Sequence, residues 1–191
     1  AEAHRQLGQY DQAIEIYDAI IDTDEDFFPA YLGKVLAQMA KSPDANVEDD
    51  LQRLIERAPD YERAYLELAS LQVQRGKPEA ALETLDASQE RLVDSPRYYR
   101  IRAQAYLDLG QDSEALANAE EAYQRDITAL PVYLLLTEVY LRNDQPEKAL
   151  EYASVYGAHK KEDASALYWA LMGWSHYENE NYEQALEAVE K

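Results

Sequence analysis

The three histidines are the side chains with which this chain could do acid–base or metal chemistry near neutral pH. They are His4, His159 and His176, and no two of them stand at the spacing of joint metal ligands. The sequence contains no cysteine, which excludes disulfides and thiolate metal sites. The sequence therefore predicts neither a metal site nor a catalytic histidine.

The acidic run at residues 22–26 resembles the start of a calcium-binding loop, which needs Gly at its sixth position and Glu at its twelfth. Phe27 and Gly33 stand at those two positions instead. No glycine-rich phosphate loop occurs either. We therefore interpret the acidic run as a solvated turn between helices, and we expect no cofactor and no enzymatic activity of the chain's own.

The composition narrows the class of partner. A net charge of −20 argues against nucleic acid, because phosphate binding depends on Lys and Arg. No apolar run is long enough to cross a membrane, so we expect no direct membrane insertion. A protein or peptide partner is left. The compartment stays open: a cytoplasmic protein is favoured, and a soluble domain of an envelope or secreted protein is the alternative.

Two sets of residues repeat along the chain. Their interval indicates which secondary-structure elements would position a functional site. Tyr31, Tyr65, Tyr99 and Tyr133 recur at a constant interval of 34, and Trp169 follows at an interval of 36. A second set shows the same interval and the same shift by two at its end: Ala13, Val47, Ala81, Ala115, Ala149 and Ala185. Apolar residues within each period fall at helical spacing. A period of 34 is typical of stacked helix-turn-helix repeats.

The residues inside each period resemble the tetratricopeptide repeat family. The matching sets are Tyr99, Ala103, Tyr106, Gly110, Ala115 and Ala122; Trp169, Gly173, Tyr182 and Ala185; and Tyr65, Leu68, Ala69, Gly76 and Ala81. The repeat at Tyr31 departs most, with Lys34 where Leu is usual and Ser42 where Gly is usual. The resemblance implies an all-α fold, a right-handed superhelix (solenoid) of antiparallel helix pairs.

The period also predicts how the chain is divided. We expect a single solenoid over residues 1–191, with a partial repeat at 1–27, four repeats at 28–61, 62–95, 96–129 and 130–165, and a truncated repeat at 166–191. Because both ends fall inside helices, we expect the sequence to be a fragment of a longer protein. Proline and glycine agree with this division, since Pro29, Pro96 and Pro131 stand where first helices begin and Gly76 and Gly110 where they end.

Charge is distributed unevenly between the two helices of each repeat. The first fourteen positions of the five repeats from residue 28 onward sum to +3, whereas the second-helix windows that follow sum to −13. In the family that this chain resembles, first helices line a concave groove. The resemblance therefore implies a near-neutral groove and an acidic back.

The resemblance places eleven residues in this groove. They are Arg63, Leu66, Ser70, Arg97, Arg100, Gln104, Leu134, Glu138, Arg142, Trp174 and Tyr177. Arg, Trp and Tyr anchor interfaces most often, and the Arg fork suits carboxylates. We expect a bound segment with acidic and apolar side chains. The alternative is that the arginines are solvated or paired with Glu67 and Glu138. Of the tyrosines, we expect Tyr98, Tyr168 and Tyr177 to be free to meet a ligand.

Three functions fit this sequence. The first is a protein-interaction scaffold that holds a peptide or protein segment in the groove. The second is a self-assembly module that forms homo-oligomers by stacking through the repeat ends. The third is a docking domain of a larger enzyme or of a secretion or regulatory protein, which differs from the first only in what is attached.

Overall fold

A computed structural model describes residues 1–160 and 165–191 and confirms the all-α class. Those ranges contain no strand. The helices are α1 Glu2–Gln6, α2 Tyr10–Thr23, α3 Phe28–Lys41, α4 Glu48–Arg57, α5 Glu62–Gln74, α6 Pro78–Asp86, α7 Gln89–Leu92, α8 Pro96–Asp108, α9 Asp112–Arg125, α10 Leu130–Arg142, α11 Pro146–Lys160, α12 Ala166–Glu178 and α13 Tyr182–Val189. None of these helices is both long enough and apolar enough to span a bilayer.

The contacts divide the chain into two compact units, unit 1 at Ala1–Gln72 and unit 2 at Val73–Lys191. In unit 2, α8 packs on α9, α10 on α11 and α12 on α13. In unit 1, α2 packs on α3 and α3 on α4. Long helices begin at residues 28, 62, 96, 130 and 166, where the repeats are expected to begin. The division into repeats itself stays a prediction, and part of the insertion near residues 156–163 lies outside the described residues.

The turns inside the helix pairs follow from backbone chemistry. Gly76 and Gly110 end first helices with positive φ angles of 67° and 68°, a conformation that glycine adopts without strain. The next two turns use residues with side chains at the corresponding places, Asp144 at φ 54° and Glu180 at φ 60°. Ser42, by contrast, is extended, and a longer loop connects α3 to α4. The left-handed turn is thus kept in unit 2 even where glycine is absent.

The core of unit 1 combines leucines with a close tyrosine contact. Leu32, Leu51 and Leu68 are almost fully buried in one cluster. Tyr17 packs so tightly against Gly33 that a Cβ atom on Gly33 would overlap the ring. Gly33 is therefore required for packing, and the carboxylate that a calcium loop needs at this position would not fit.

The core of unit 2 contains small residues and a cluster of four tyrosine rings. Ala103, Ala115, Ala119, Ala122 and Ala149 are completely buried, which allows the helix backbones to approach closely. The rings belong to Tyr123, Tyr133, Tyr140 and Tyr152. Tyr152 stacks on Tyr140 with centroids 5.4 Å apart and meets the edge of Tyr123 at 5.5 Å. We call these four residues the tyrosine cluster.

Two of the tyrosines that we expected to be free are buried. Tyr98 is 2% exposed and Tyr168 is 5% exposed, so the expectation that they meet a ligand is wrong. Tyr168 fits because Gly157 has no side chain, and a Cβ atom there would overlap the phenol. Tyr98 packs edge-on against Tyr99 at 5.0 Å and lies under the Arg102 guanidinium.

Candidate protein-interaction surface

The eleven predicted groove residues lie on first helices of both units. Arg63, Leu66 and Ser70 lie on α5 in unit 1, and the other eight lie on α8, α10 and α12 in unit 2. Within each helix successive members are three or four residues apart, which places them on one helical face. In unit 2, α10 packs beside both α8 and α12. The eight residues of unit 2 therefore occur on three neighbouring helices, and we call them the unit 2 surface.

The three residues of unit 1 differ in how much surface they offer. Arg63 is exposed and Ser70 is half-buried. Leu66 is only 7% exposed, so it contributes mainly to the interior. Arg63 is thus the member of this set that a ligand could reach most easily.

The α8 residues of the unit 2 surface are half-buried and already interact with other groups of the protein. Gln104 donates a hydrogen bond to Asp108 at 3.2 Å. Arg97 and Arg100 each interact with other groups of the protein. A ligand on this helix would therefore compete with existing interactions.

Arg142 on α10 shows the pairing that the sequence left as an alternative. Its Nη2 donates to Glu138 at 3.0 Å, and its Nη1 lies 3.9 Å from the carboxylate of Asp112. All three side chains are partly exposed, and such pairs contribute about 0–1 kcal/mol. Arg142 can therefore exchange partners at low cost.

The exposed aromatic side chains of the unit 2 surface are on α12. Trp174 is 40% exposed and its indole N–H donates to Glu178 at 3.1 Å. Tyr177 is 60% exposed and meets the edge of Tyr182 at 5.7 Å. Six of the ten exposed large apolar side chains of the described residues fall within residues 166–191. Exposed aromatic surface is thus concentrated at α12 and α13.

His176, also on α12, has a pKa lowered by its burial. Its Nδ1 is buried without a hydrogen-bond partner among the described residues. Those residues contain no group of three His, Asp or Glu side chains arranged to hold a metal ion.

The structure also shows an arginine–tyrosine clamp that the sequence reasoning missed. Arg57 lies over the Tyr31 ring at 4.9 Å, donates to its hydroxyl at 2.7 Å and donates to the Glu25 carbonyl at 2.8 Å. In unit 2, Arg125 makes the same three contacts with Tyr99 and the Val93 carbonyl, at 4.1, 3.2 and 3.0 Å.

A signal for this clamp was present in the sequence. Arg57, Arg91 and Arg125 recur at the repeat interval, and His159 stands at the next equivalent position. At the corresponding place beside α10, the Tyr133 hydroxyl donates directly to the Ile127 carbonyl at 2.6 Å. The tyrosine thus takes over the acceptor that the arginine uses in the two clamps.

Comparisons with known proteins match one repeat family in two segments of the chain. Two models described as tetratricopeptide repeat match the chain, one at residues 48–105 and one at residues 1–28. These two segments carry tetratricopeptide repeats. No curated protein matches it.

Several solved tetratricopeptide-type structures share the fold at low identity. PilW, described as a type IV pilus biogenesis factor, is 16% identical with a TM-score of 0.83, over 98% of this chain and 86% of PilW. Cut9, from the APC/C hetero-tetramer Cut9-Hcn1, is 13% identical with a TM-score of 0.83, over 99% of this chain and 37% of Cut9. MamA is 15% identical with a TM-score of 0.63, over 85% of this chain and 86% of MamA.

These likenesses establish the solenoid class of fold. Tetratricopeptide repeats are in general non-catalytic scaffolds that bind other proteins or peptides. Because the identities are so low, the named partners and processes belong to the relatives.

Proposed function

We propose that this chain is a non-enzymatic scaffold that binds a peptide or protein segment on the groove face of its first helices. The unit 2 surface on α8, α10 and α12 is its main contact. At the corresponding positions of α5 in unit 1, Arg63 and Ser70 are accessible and Leu66 is buried. The partner segment carries acidic and apolar side chains.

The observation that supports this proposal is the exposure of Trp174 and Tyr177 on α12, beside the helix that carries Arg142. An exposed indole and phenol bury a large area when a partner covers them. The indole N–H and the phenol hydroxyl can in addition donate hydrogen bonds to the partner. Arg142 is already paired with carboxylates, and an acidic side chain of a partner can replace Glu138 in the same geometry.

The proposal is tested with the intact chain as bait in a lysate of its source, beside two variants. In the surface variant, Trp174→Ala is combined with Arg142→Ala. In the control variant, Ile127→Ala is combined with Lys41→Ala, because Ile127 is also an exposed apolar residue and Lys41 is also an ion-paired cation. A partner bound by the wild type and the control but lost from the surface variant supports the proposal. A partner retained by all three contradicts it.

The exposed face of α13 favours self-assembly as a second function. Tyr182, Leu186 and Val189 are spaced at four and three residues, lie on one face of α13 and are all exposed. The second helix α11 of the preceding pair packs against the following first helix, α12. A first helix of a second copy would cover α13 in the same way. Sedimentation equilibrium distinguishes the two functions: a mass that rises with concentration in the wild type and stays monomeric in Leu186→Glu supports self-assembly.

A docking domain of a larger enzyme or of a secretion or regulatory protein uses the same surface. It would show the same loss of partner in the surface variant, so only the identity of the captured protein and of the attached domains separates it from a free scaffold.

A further inference from the structure

Unit 1 contains a cavity of about 240 Å³ between α2, α3 and α4. None of the eleven predicted groove residues lines it. Small-molecule sites usually have volumes of roughly 300–1,000 Å³, so this cavity is sized for a single side chain. We call it the unit 1 pocket.

The unit 1 pocket concentrates positive charge in an acidic part of the chain. Residues 1–72 contain sixteen Asp and Glu but only six Lys and Arg. Three of those six, Lys34, Arg53 and Arg57, line the pocket together with Asp18 and Asp50. The pocket therefore has an excess of one positive charge inside a unit whose net charge is −10. A singly charged anion suits this balance better than a dianion does.

Two of the three cations have donors left for a ligand. Lys34 donates to Asp18 at 2.6 Å, which uses one of its three ammonium protons. Arg53 contacts Asp50 through Nη1 at 3.2 Å, and its side chain is 71% exposed. Arg57 is held by the clamp described above and so gives the pocket a fixed wall.

One residue of the pocket lining also carries a buried acceptor. Gln38 lines the pocket, and its Oε1 is buried without a hydrogen-bond partner among the described residues. A buried polar atom of this kind costs free energy until a donor reaches it. A ligand with a hydroxyl or an N–H group would satisfy this oxygen once the Gln38 side chain rotates it toward the pocket.

Unit 2 shows what the same place in the repeat can hold. Residues three repeat periods apart occupy equivalent places in the repeat. The four members of the tyrosine cluster therefore have counterparts in unit 1: Tyr123, Tyr133, Tyr140 and Tyr152 correspond, in that order, to Ile21, Tyr31, Gln38 and Asp50. The fold accepts aromatic rings at this place, and in unit 1 the shorter side chains of Ile21, Gln38 and Asp50 line a cavity there. Val35 and Leu54 supply apolar walls.

We propose that the unit 1 pocket binds an aromatic side chain of a partner peptide together with an adjacent carboxylate. The ring occupies the space that Tyr152 occupies in unit 2, the phenol donates to Gln38, and the carboxylate binds Arg53 and Lys34. Arg suits this task because its planar fork binds a carboxylate through two hydrogen bonds. The inference does not depend on the proposed function, since none of the eleven predicted groove residues lines the pocket.

The test uses nuclear magnetic resonance on the isotopically labelled 191-residue chain. The probe is the acetylated and amidated pentapeptide Gly-Glu-Tyr-Gly-Gly, which carries the single negative charge that suits the pocket. Two matched peptides replace Glu by Gln or replace Tyr by Ala. We expect saturable shifts of the amide signals of Lys34, Gln38 and Arg53 with a Kd of about 1 mM or tighter, and affinity at least about fivefold lower for each matched peptide.

Three variants locate the binding. Arg53→Ala should weaken binding about five- to tenfold, because a hydrogen-bonded charge pair to the ligand is lost and the exposed side chain is not needed for folding. Asp50→Tyr introduces the residue that unit 2 has at this position and should block the pocket. Lys41→Ala is the control, since Lys41 is an ion-paired cation of unit 1 outside the pocket, and should bind like the wild type.

Three results would overturn the proposal. One is the lack of saturable shifts at millimolar peptide. Another is equal affinity of the wild type, Arg53→Ala and Asp50→Tyr. The third is a set of shifts on α10 and α12 instead of the pocket, which would assign the peptide to the unit 2 surface and support the proposed function alone.

Discussion

The same position of the repeat is built differently in the two units. In unit 2 it is filled by the tyrosine cluster, whose rings come from α9, α10 and α11. In unit 1 it is a cavity lined by charged residues and Gln38. A repeat fold fixes the backbone at this position but leaves its contents free. One copy can therefore stabilise the protein while another is available for binding.

The largest expected effect is a loss of stability when the tyrosine cluster of unit 2 is truncated. Tyr152→Ala removes the ring that contacts Tyr123, Tyr133 and Tyr140. We expect the free energy of unfolding to fall by about 2–3 kcal/mol, since truncating a packed aromatic ring creates a cavity. Urea denaturation measures this change. Tyr177→Ala, at an exposed tyrosine, is the control and should change stability by less than about 0.5 kcal/mol. A similar loss in both variants would show that the cluster contributes nothing special.

The arginine–tyrosine clamp, present in both units, should give a smaller effect. Arg57→Ala and Arg125→Ala each remove the ring contact and the two hydrogen bonds of the clamp. Arg125→Ala also removes bonds to Glu121 on the same helix, but such an exposed i,i+4 pair contributes little. We expect both to lower the melting temperature by similar amounts, and by less than Tyr152→Ala does. Arg→Lys at either position should not restore stability, because Lys lacks the planar fork that bonds two acceptors. A large difference between the melting temperatures of the two alanine variants would mean that the clamp is not equivalent in the two units.

Substitutions at the left-handed turns of unit 2 should change the free energy of unfolding by about 1 kcal/mol. Glu180 adopts the left-handed conformation that Gly110 adopts at the corresponding turn. Glu180→Gly should therefore raise the free energy of unfolding by about 1 kcal/mol, and Gly110→Ala should lower it by about the same amount. Asp144→Gly should gain less, because Asp tolerates this conformation better than Glu does. Thermal unfolding of the three variants checks the order, and a destabilised Glu180→Gly would contradict it.

The smallest expected effect is the pH response of His176. Its pKa is lowered from 6.5 by burial, so the folded state holds the neutral ring while the unfolded state takes up a proton. The stability from this group is fully present above pH 6.5 and is lost as the pH falls toward the lower pKa of the folded state. His176→Gln should therefore show a flatter dependence of unfolding free energy on pH just below 6.5. An unchanged slope would mean that His176 titrates normally.

The period of the sequence predicted the helices well because it reports local backbone requirements. Gly76, Gly110 and the prolines at Pro78 and Pro96 lie where the structure turns or begins a helix. The site residues were harder to predict, because exposure depends on neighbours from other helices. Leu66 is buried although it shares the groove register.

The unit 1 pocket was missed for the same reason, although one departure from the repeat pattern lies in it. Lys34 stands where leucine is usual, and the structure places that residue in the pocket wall. A break in a repeat pattern is thus a useful marker of a site. The arginine register at 57, 91 and 125 was equally visible, but its partners could be assigned only from the structure.

The clamp also bears on how each unit unfolds. Arg57 and Arg125 end second helices, yet each bonds to a carbonyl 32 residues earlier, in the turn before its own helix pair. Opening the second helix therefore releases the first helix and that turn in the same event. Such links between neighbours make unfolding cooperative along a repeat array. Amide hydrogen exchange should consequently report a common opening rate for residues 25–57, and another for residues 93–125, instead of separate rates for each helix.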